Sequence, residues 1–227
     1  MEATTNTVEV NPEGRAVGSV IWLHGLGADA NDFAPIVKEL NLPPNLPLRF
    51  VFPEAKVRPI SVNGGVSMRG WYDIRSLDLT FQEDENGVDD SVNEIRSLIM
   101  AEKKRGFSSK QIVLAGFSQG GAIALQTGLR FKEPLAGILG LSTYLPVADS
   151  LAEKLSAYVS DIPVLLVHGL FDPVVPLQLA QQAKAQLEAW EVPVVFKTYP
   201  MPHSVCAEEI GLIGKWLERA FLGEQSE

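Results

Sequence analysis

Short apolar segments rich in Val, Ile and Leu alternate along the chain with longer segments in which apolar residues recur at helical spacing. The short segments do not alternate between apolar and polar residues, which is typical of parallel strands covered by helices on both faces of the sheet. We therefore predict six strands, at residues 19–24, 48–52, 111–116, 135–142, 163–169 and 193–199.

The segments between these strands predict helices. Val88, Val92, Ile95 and Ile99 mark one helix that ends near Gly106. Other helices are expected at residues 33–40, 120–131, 150–158, 177–190 and 207–221. Repeated alternation of strand and helix predicts one doubly wound α/β domain over residues 1–227, with a polar N-terminal segment at about 1–16.

Residues 53–84 interrupt this alternation. No helix or strand is evident there, although apolar residues are frequent, among them Ile60, Val66, Met68, Trp71, Ile74, Leu77, Leu79 and Phe81. Long irregular loops inside compact domains are uncommon and are usually functional. The segment either covers the edge of the core or lines a site, and the pattern alone leaves both open.

Charge and composition exclude several classes of function. The chain of 227 residues has a net charge of −9 and no basic run longer than Lys103–Arg105, so neither nucleic acid nor an anionic membrane is an expected partner. The N-terminus lacks the layout of a signal peptide, and no apolar stretch reaches the ~18 residues of a membrane span. The single Cys206 fits a reducing compartment. We expect a soluble, cytoplasmic protein without an integral membrane segment.

The sequence Gly-Phe-Ser118-Gln-Gly lies between a predicted strand and a predicted helix. This is the G-x-S-x-G nucleophile elbow in the context that the motif requires. The turn lifts a serine hydroxyl above the carboxyl edge of the sheet, and the helix N-terminus beneath it offers free N–H groups to a developing oxyanion. A glycine-rich connecting turn is the alternative.

A serine nucleophile needs a base, and the base needs an orienting acid. In this fold class the chain order is Ser, acid, His. Asp172 follows the strand at 163–169, and His203 follows the strand at 193–199, so Ser118, Asp172 and His203 lie after three strands in that order. His168 precedes Asp172 and is expected to pack or hydrogen-bond behind the loop instead.

Gly25, Gly27 and Ala30 match the G-x-G-x-x-A spacing of a dinucleotide-binding turn. Asp29 and Asp32 would repel a diphosphate at that turn. An acyl-transfer enzyme uses the same kind of turn for its oxyanion hole, with Leu26 and Gln119 as the N–H donors here. We expect no cofactor. We also expect no metal, because the three histidines lie on separate elements and no metal-binding spacing occurs.

The chain resembles the carboxylesterases and acyl-protein thioesterases of the α/β-hydrolase fold, from about Ser19 to Phe221. The segments that carry the resemblance are LHGLGA, RPISVNGG, WYDI, FQEDENGV, GFSQGGAIAL, GLSTYLP, HGLFDPVVP and FKTYPMPHS. Two positions depart from the family pattern. The family commonly has Met-Pro-x-Trp where this chain has Met68-Arg69-Gly70-Trp71, and Pro202 precedes His203 where glycine is common.

The resemblance implies the same catalytic residues and oxyanion donors, and it adds Met68 and Trp71 as walls of an acyl-binding groove. It further implies short- to medium-chain esters, thioesters on acylated proteins or lysophospholipids as substrates, and a weak homodimer. We therefore predict an α/β-hydrolase fold with a mostly parallel sheet and no separate lid domain, which cleaves esters or thioesters through an acyl-enzyme. The alternatives are a lysophospholipase, a non-catalytic binding module of this fold and a dinucleotide-dependent oxidoreductase.

Overall fold

A computed structural model describes residues 6–223. Its nine strands are β1 Thr7–Val10, β2 Gly18–Leu23, β3 Leu48–Pro53, β4 Val57–Ile60, β5 Val66–Arg69, β6 Ile112–Phe117, β7 Gly137–Leu141, β8 Val164–Gly169 and β9 Val194–Tyr199. Seven of these form one sheet in the order β1-β3-β2-β6-β7-β8-β9. Only β1 runs antiparallel to its neighbour in that sheet. The prediction of a mostly parallel α/β sheet is confirmed.

Helices cover both faces of the sheet. They are α1 Ile36–Glu39, α2 Glu85–Lys104, α3 Gln119–Leu129, α4 Ala148–Ala152, α5 Leu177–Ala189 and α6 Ala207–Leu222. One apolar core joins the sheet to α2, α3, α4 and α5, and a second core joins the opposite face to α1 and α6. Because strands β2, β6, β7 and β8 face helices on both sides, all their residues but Phe117 are buried, and this is why they read as continuous apolar runs.

Two predicted helices are shorter in the structure. The helix expected at 33–40 contains only Ile36–Glu39, and Pro35 occupies its N-cap. The segment at 150–158 holds the end of α4, and a separate 3₁₀ turn at Val159–Asp161 follows it. Short helices carry too few apolar repeats for their ends to be set by periodicity.

The expectation that residues 53–84 contain no strand is wrong. β4 and β5 form an antiparallel hairpin within that segment. Strand β1 lies within the polar N-terminal segment, of which residues 1–5 fall outside the described residues. Within residues 6–223, no helix combines the length and the apolar character needed to cross a membrane.

The strand register brings the candidate residues to one edge. Leu23 pairs with Gly116, and Phe117 pairs with Leu141. Gly169 pairs with Tyr199 at the far side of the sheet. The carboxyl ends of β2, β6, β8 and β9 therefore lie at one edge of the sheet. This is the edge at which α/β sheets carry their ligand sites.

Candidate active site

Ser118 lies on a strained turn between β6 and α3. Its backbone angles are φ 54° and ψ −122°, a region that side-chain-bearing residues rarely adopt and that costs about 1–3 kcal/mol. The surrounding structure holds it there: the Ser118 N–H donates to Leu141 O at 2.8 Å, and its carbonyl accepts from Thr143 Oγ1 at 2.7 Å. The turn is the predicted nucleophile elbow in its geometry.

Both flanking glycines are required by close backbone approach. A Cβ on Gly116 would lie 2.3 Å from the carbonyl carbon of Gly120, and a Cβ on Gly120 would lie 2.4 Å from Leu23 O. No rotamer change relieves a clash with backbone atoms. The G-x-S-x-G spacing therefore follows from the packing of this turn against the end of β2.

Asp172 lies in the loop after β8 and uses both carboxylate oxygens. Oδ1 accepts from the Val174 and Val175 amides at 2.8 and 2.9 Å. Oδ2 accepts from His203 Nδ1 at 2.6 Å. The amides thus fix the carboxylate, and the fixed carboxylate leaves one oxygen to orient the imidazole.

His203 lies in the loop after β9, beside the elbow. Its ring packs against the ring of Phe117, the residue before Ser118, with the centroids 4.7 Å apart. The loop that carries it lies close to β8, because a Cβ on Gly169 would lie 2.4 Å from both Met201 O and Pro202 O. With Nδ1–H held by Asp172, the other nitrogen of the ring is free to act as a base.

His168 is buried behind the acid, as expected. Its Nε2 donates to Val175 O at 2.8 Å and lies 3.5 Å from Asp172 Oδ2. Burial lowers the pKa of His168 below its ordinary value, so the ring is neutral at neutral pH. The residue supports the loop that carries Asp172.

The two predicted oxyanion donors come from neighbouring turns. Gln119 is the first residue of α3, so its N–H has no acceptor within the helix. In the turn after β2, the Gly27 N–H donates to Arg69 O and the Ala28 N–H donates to Gly25 O. The Leu26 N–H makes no backbone hydrogen bond within residues 6–223. A Cβ on Gly25 would lie 3.5 Å from Ser118 Cβ, so this turn reaches the nucleophile.

The Gln119 side chain joins this site to the segment after β5. Its Oε1 accepts from the Trp71 N–H, and its Nε2 donates to Tyr72 O, both at 2.7 Å. Gly70 fits beneath, since a Cβ there would lie 2.9 Å from Leu26 Cδ1. Gly70 therefore places a residue without a side chain against the turn after β2, which we call the oxyanion turn (residues 24–28).

The structure revises the prediction for Trp71. Its side chain is 1% exposed, and its Nε1 donates to His24 O at 2.9 Å. A buried indole offers no free wall to an acyl chain, so we assign Trp71 to the support of the site. Met68 is half-buried, and its sulfur lies 3.6 Å from the position of a Cβ on Gly27, at the edge of the oxyanion turn.

Two residues that contact the site have no role predicted from the sequence. Thr143, which follows β7, holds the Ser118 carbonyl through its hydroxyl. His24, which follows β2, holds the turn of Leu26 through its ring. Both are polar residues just past the end of a buried strand, and that position is the signal that identifies them.

Comparisons with known proteins show the family to which the chain belongs. The family model for phospholipase/carboxylesterase matches residues 4–220. Acyl-protein thioesterase 1 of Cryptococcus neoformans is 34% identical, over 97% of this chain and 99% of that protein. Acyl-protein thioesterase 1 of Mycosarcoma maydis is 37% identical, over 94% of this chain and 96% of that protein.

Solved structures have the same fold. Arabidopsis thaliana SOBER1 is 29% identical with a TM-score of 0.85, over 89% of this chain and 98% of that chain. Zea mays acyl-protein thioesterase 2 is 29% identical with a TM-score of 0.84, over 96% of this chain and 99% of that chain. The range that the family model matches spans the positions of every candidate site residue.

Proposed function

The chain belongs to the phospholipase/carboxylesterase family and is a serine hydrolase of ester and thioester bonds, and from this premise we propose the role of each residue in its site. Ser118 is the nucleophile, His203 the general base and Asp172 the orienting acid. The observation that carries the proposal is the 2.6 Å bond from His203 Nδ1 to Asp172, beside a serine on a strained elbow.

The reaction has two halves. Ser118 Oγ attacks the carbonyl carbon while His203 Nε2 takes its proton, and the Leu26 and Gln119 N–H groups bind the oxyanion that forms. The intermediate collapses, and the leaving alcohol or thiol takes the proton from His203. Water then attacks the acyl-enzyme with His203 again as base, and the free acid leaves with Ser118 regenerated.

We propose that the acyl group is a fatty acyl chain of short to medium length, presented as a simple ester or as a thioester on a protein. The relatives named as acyl-protein thioesterases favour this class. Three exposed apolar side chains on the Asp172 loop also favour it, because they offer contact area for hydrocarbon beside the acid: Leu170, Phe171 and Val174. A cytoplasmic location and a weak homodimer remain part of the proposal.

The test replaces the nucleophile. In Ser118→Ala, we expect no covalent labelling by a fluorophosphonate and a loss of several orders of magnitude in kcat for p-nitrophenyl esters and acyl thioesters, because only binding and oxyanion stabilisation remain. Ser97→Ala, which removes an exposed hydroxyl on α2, is the matched control and keeps full labelling. Full labelling of the Ser118 variant would overturn the assignment. Faster turnover of lysophosphatidylcholine than of every ester and thioester would overturn the substrate class alone.

A further inference from the structure

The His24 ring makes two hydrogen bonds that fix its charge and its tautomer. Its Nδ1 lies 2.7 Å from Gly25 O, and its Nε2 lies 3.0 Å from the Ala55 amide nitrogen. A carbonyl oxygen only accepts and a backbone amide only donates, so Nδ1 carries the proton and Nε2 is the acceptor. Only the neutral imidazole makes both bonds, and the residue is 2% exposed.

His24 also ties together three separate segments. The ring contacts the turn after β2 and the residue Ala55 after β3. Its backbone carbonyl accepts from Trp71 Nε1 at 2.9 Å, and its ring packs against the Trp71 indole with the centroids 5.3 Å apart. The turn of Leu26 is thereby fixed to the body of the protein from two sides.

The bond to Gly25 O has a direct geometric consequence. The Gly25 carbonyl and the Leu26 N–H belong to the same peptide plane, and in a trans peptide they point in opposite directions. Donors that hold the carbonyl therefore set the direction of the N–H, and the 2.7 Å bond from His24 is much shorter than the 3.3 Å bond from the Ala28 N–H. The Leu26 N–H is the group assigned above to the oxyanion.

We propose that His24 is a positioning residue of the oxyanion hole. Its neutral ring donates a hydrogen bond to the Gly25 carbonyl and thereby orients the Leu26 N–H toward the reacting carbonyl. The proposal rests on the oxyanion role of Leu26 stated above. It adds a second histidine whose protonation state controls the rate, although this histidine touches no substrate.

The charge state of His24 depends on its surroundings. Burial lowers the pKa of His24 below its ordinary value, and the bond to Gly25 O, Asp32 and Asp29 offset part of that effect. Arg69 on β5 lowers the pKa further, although Arg69 is itself paired with Glu54 at 2.9 Å. An ordinary histidine becomes protonated as pH falls below about 6.5, and His24 becomes protonated only at a lower pH. The protonated ring carries a second N–H, which then faces the Ala55 N–H. The anchor to Ala55 is then lost.

The pH profile tests this mechanism. If His203 and His24 must both be neutral, log(kcat/KM) falls at the acid end with a limiting slope of two rather than one. In His24→Asn, the side-chain amide still donates toward Gly25 O but does not titrate. We expect this variant to keep measurable activity and to show a slope of one.

The size of the effect on kcat is tested with His24→Leu. Leucine fills the buried space of the ring but makes neither hydrogen bond. Removal of one oxyanion donor costs about 10²–10³ in kcat, and a misaligned donor retains part of its effect. We expect a fall of roughly tenfold to a hundredfold in kcat with little change in KM, and partial recovery in His24→Asn. Stoichiometric fluorophosphonate labelling of Ser118, measured at its end point, shows that the elbow is still folded.

The matched control is Ser19→Ala at the opposite end of the same strand. Ser19 is fully buried and donates to Glu102 Oε2 at 2.8 Å, so its loss destabilises the fold without touching the turn. We expect a lower Tm with unchanged kcat and an unchanged slope. A slope of two in His24→Asn, or a kcat within threefold of wild type in a labelled His24→Leu, overturns the proposal. If the Leu variant does not label, the slope in His24→Asn decides. Activity in Ser118→Ala would instead overturn the proposed function, so the two failures are distinguishable.

Discussion

The two carboxylate oxygens of Asp172 have different partners. One accepts hydrogen bonds from backbone amides, and the other accepts from His203. In Asp172→Asn the carboxamide oxygen can still accept from the amides of Val174 and Val175, so the loop keeps its shape. The other position then presents an N–H, which cannot accept from His203 Nδ1 and favours the wrong tautomer of the ring.

We expect Asp172→Asn to lower kcat for a p-nitrophenyl ester by roughly 10⁴ with little change in Tm. Asp161→Asn removes an exposed carboxylate in the 3₁₀ turn before β8 and is the control, with activity close to wild type. A loss of tenfold or less in the Asp172 variant would mean that another acid orients the base.

Sequence reasoning reached the candidate triad because each member follows a strand and the chain order is specific. The bond between Asp172 and His203 required only those strand ends to meet at one edge of the sheet, and they do. The roles of His24 and of the Gln119 side chain could not be read in the same way. The Gln119 side chain acts through contacts 47 and 48 positions away. The bond of His24 to Gly25 O is local, but its ring is anchored at Ala55, 31 positions away. A pattern along the chain encodes neither of these distant contacts.

The β4–β5 hairpin is the element on which sequence reasoning was weakest. Each strand has only four residues, and most of their side chains are half-buried or exposed. A segment this short cannot show a clear alternation of apolar and polar residues. The family resemblance places Trp71, which follows the hairpin, in the wall of an acyl groove, whereas the structure buries its side chain against His24. An apolar residue in an irregular segment does not reveal which side it faces.

Met68 on β5 is the residue of the hairpin whose proposed contact with substrate remains to be tested. Each buried methylene contributes up to ~0.8 kcal/mol, so lengthening an ester from acetyl to hexanoyl can raise kcat/KM by up to about two decades. Partial exposure reduces this gain, and we expect one decade or more. Met68→Ala should flatten the dependence on chain length by harming the hexanoyl ester more than the acetyl ester.

The control for Met68 lies on the same hairpin. Met68 pairs with Arg58 across the strands, whereas Val57 pairs with Arg69, so Val57 faces the opposite side. Val57 is also 62% exposed, and Val57→Ala should leave the ratio of the two esters unchanged. Equal losses for both esters in Met68→Ala would remove the hairpin from the acyl site.

Trp71→Phe gives the complementary result expected of a support. It keeps an aromatic ring but leaves His24 O without its donor, which costs about 1–3 kcal/mol. For a chain of this length that is about 2–4 °C in Tm per kcal/mol. Because the oxyanion is common to all esters, kcat/KM should fall by the same factor for acetyl and hexanoyl esters. A selective loss on hexanoyl would return Trp71 to the groove wall.

At the scale of the whole molecule, stability depends on buried titratable groups on both faces of the sheet. Burial lowers the pKa values of His24 and His168, so the unfolded chain binds protons first as pH falls below about 6.5, and the free energy of unfolding drops there. Glu209 in the first turn of α6 acts in the opposite direction. It is fully buried, and within residues 6–223 no side chain donates a hydrogen bond to either of its oxygens.

Burial raises the pKa of Glu209 to about 7, and the Cys206 amide offsets only part of that effect. The carboxyl of the unfolded chain ionises at its ordinary pKa of 4.5, so between pH 4.5 and 7 the native state binds more protons. Stability therefore falls as pH rises through that window, by about 3 kcal/mol in total.

Glu209→Gln should remove this dependence, since the amide does not ionise. We expect the Tm of the variant minus that of wild type to be several degrees larger at pH 8 than at pH 5, at about 2–4 °C per kcal/mol. The difference between variant and wild type cancels the histidine effects, which both proteins share. Glu208→Gln, an exposed neighbour on the same turn, should give the same small difference at both pH values. An equal difference at pH 5 and pH 8 in Glu209→Gln would show that this carboxyl does not ionise across the range, which would overturn its assigned role in the pH dependence of stability.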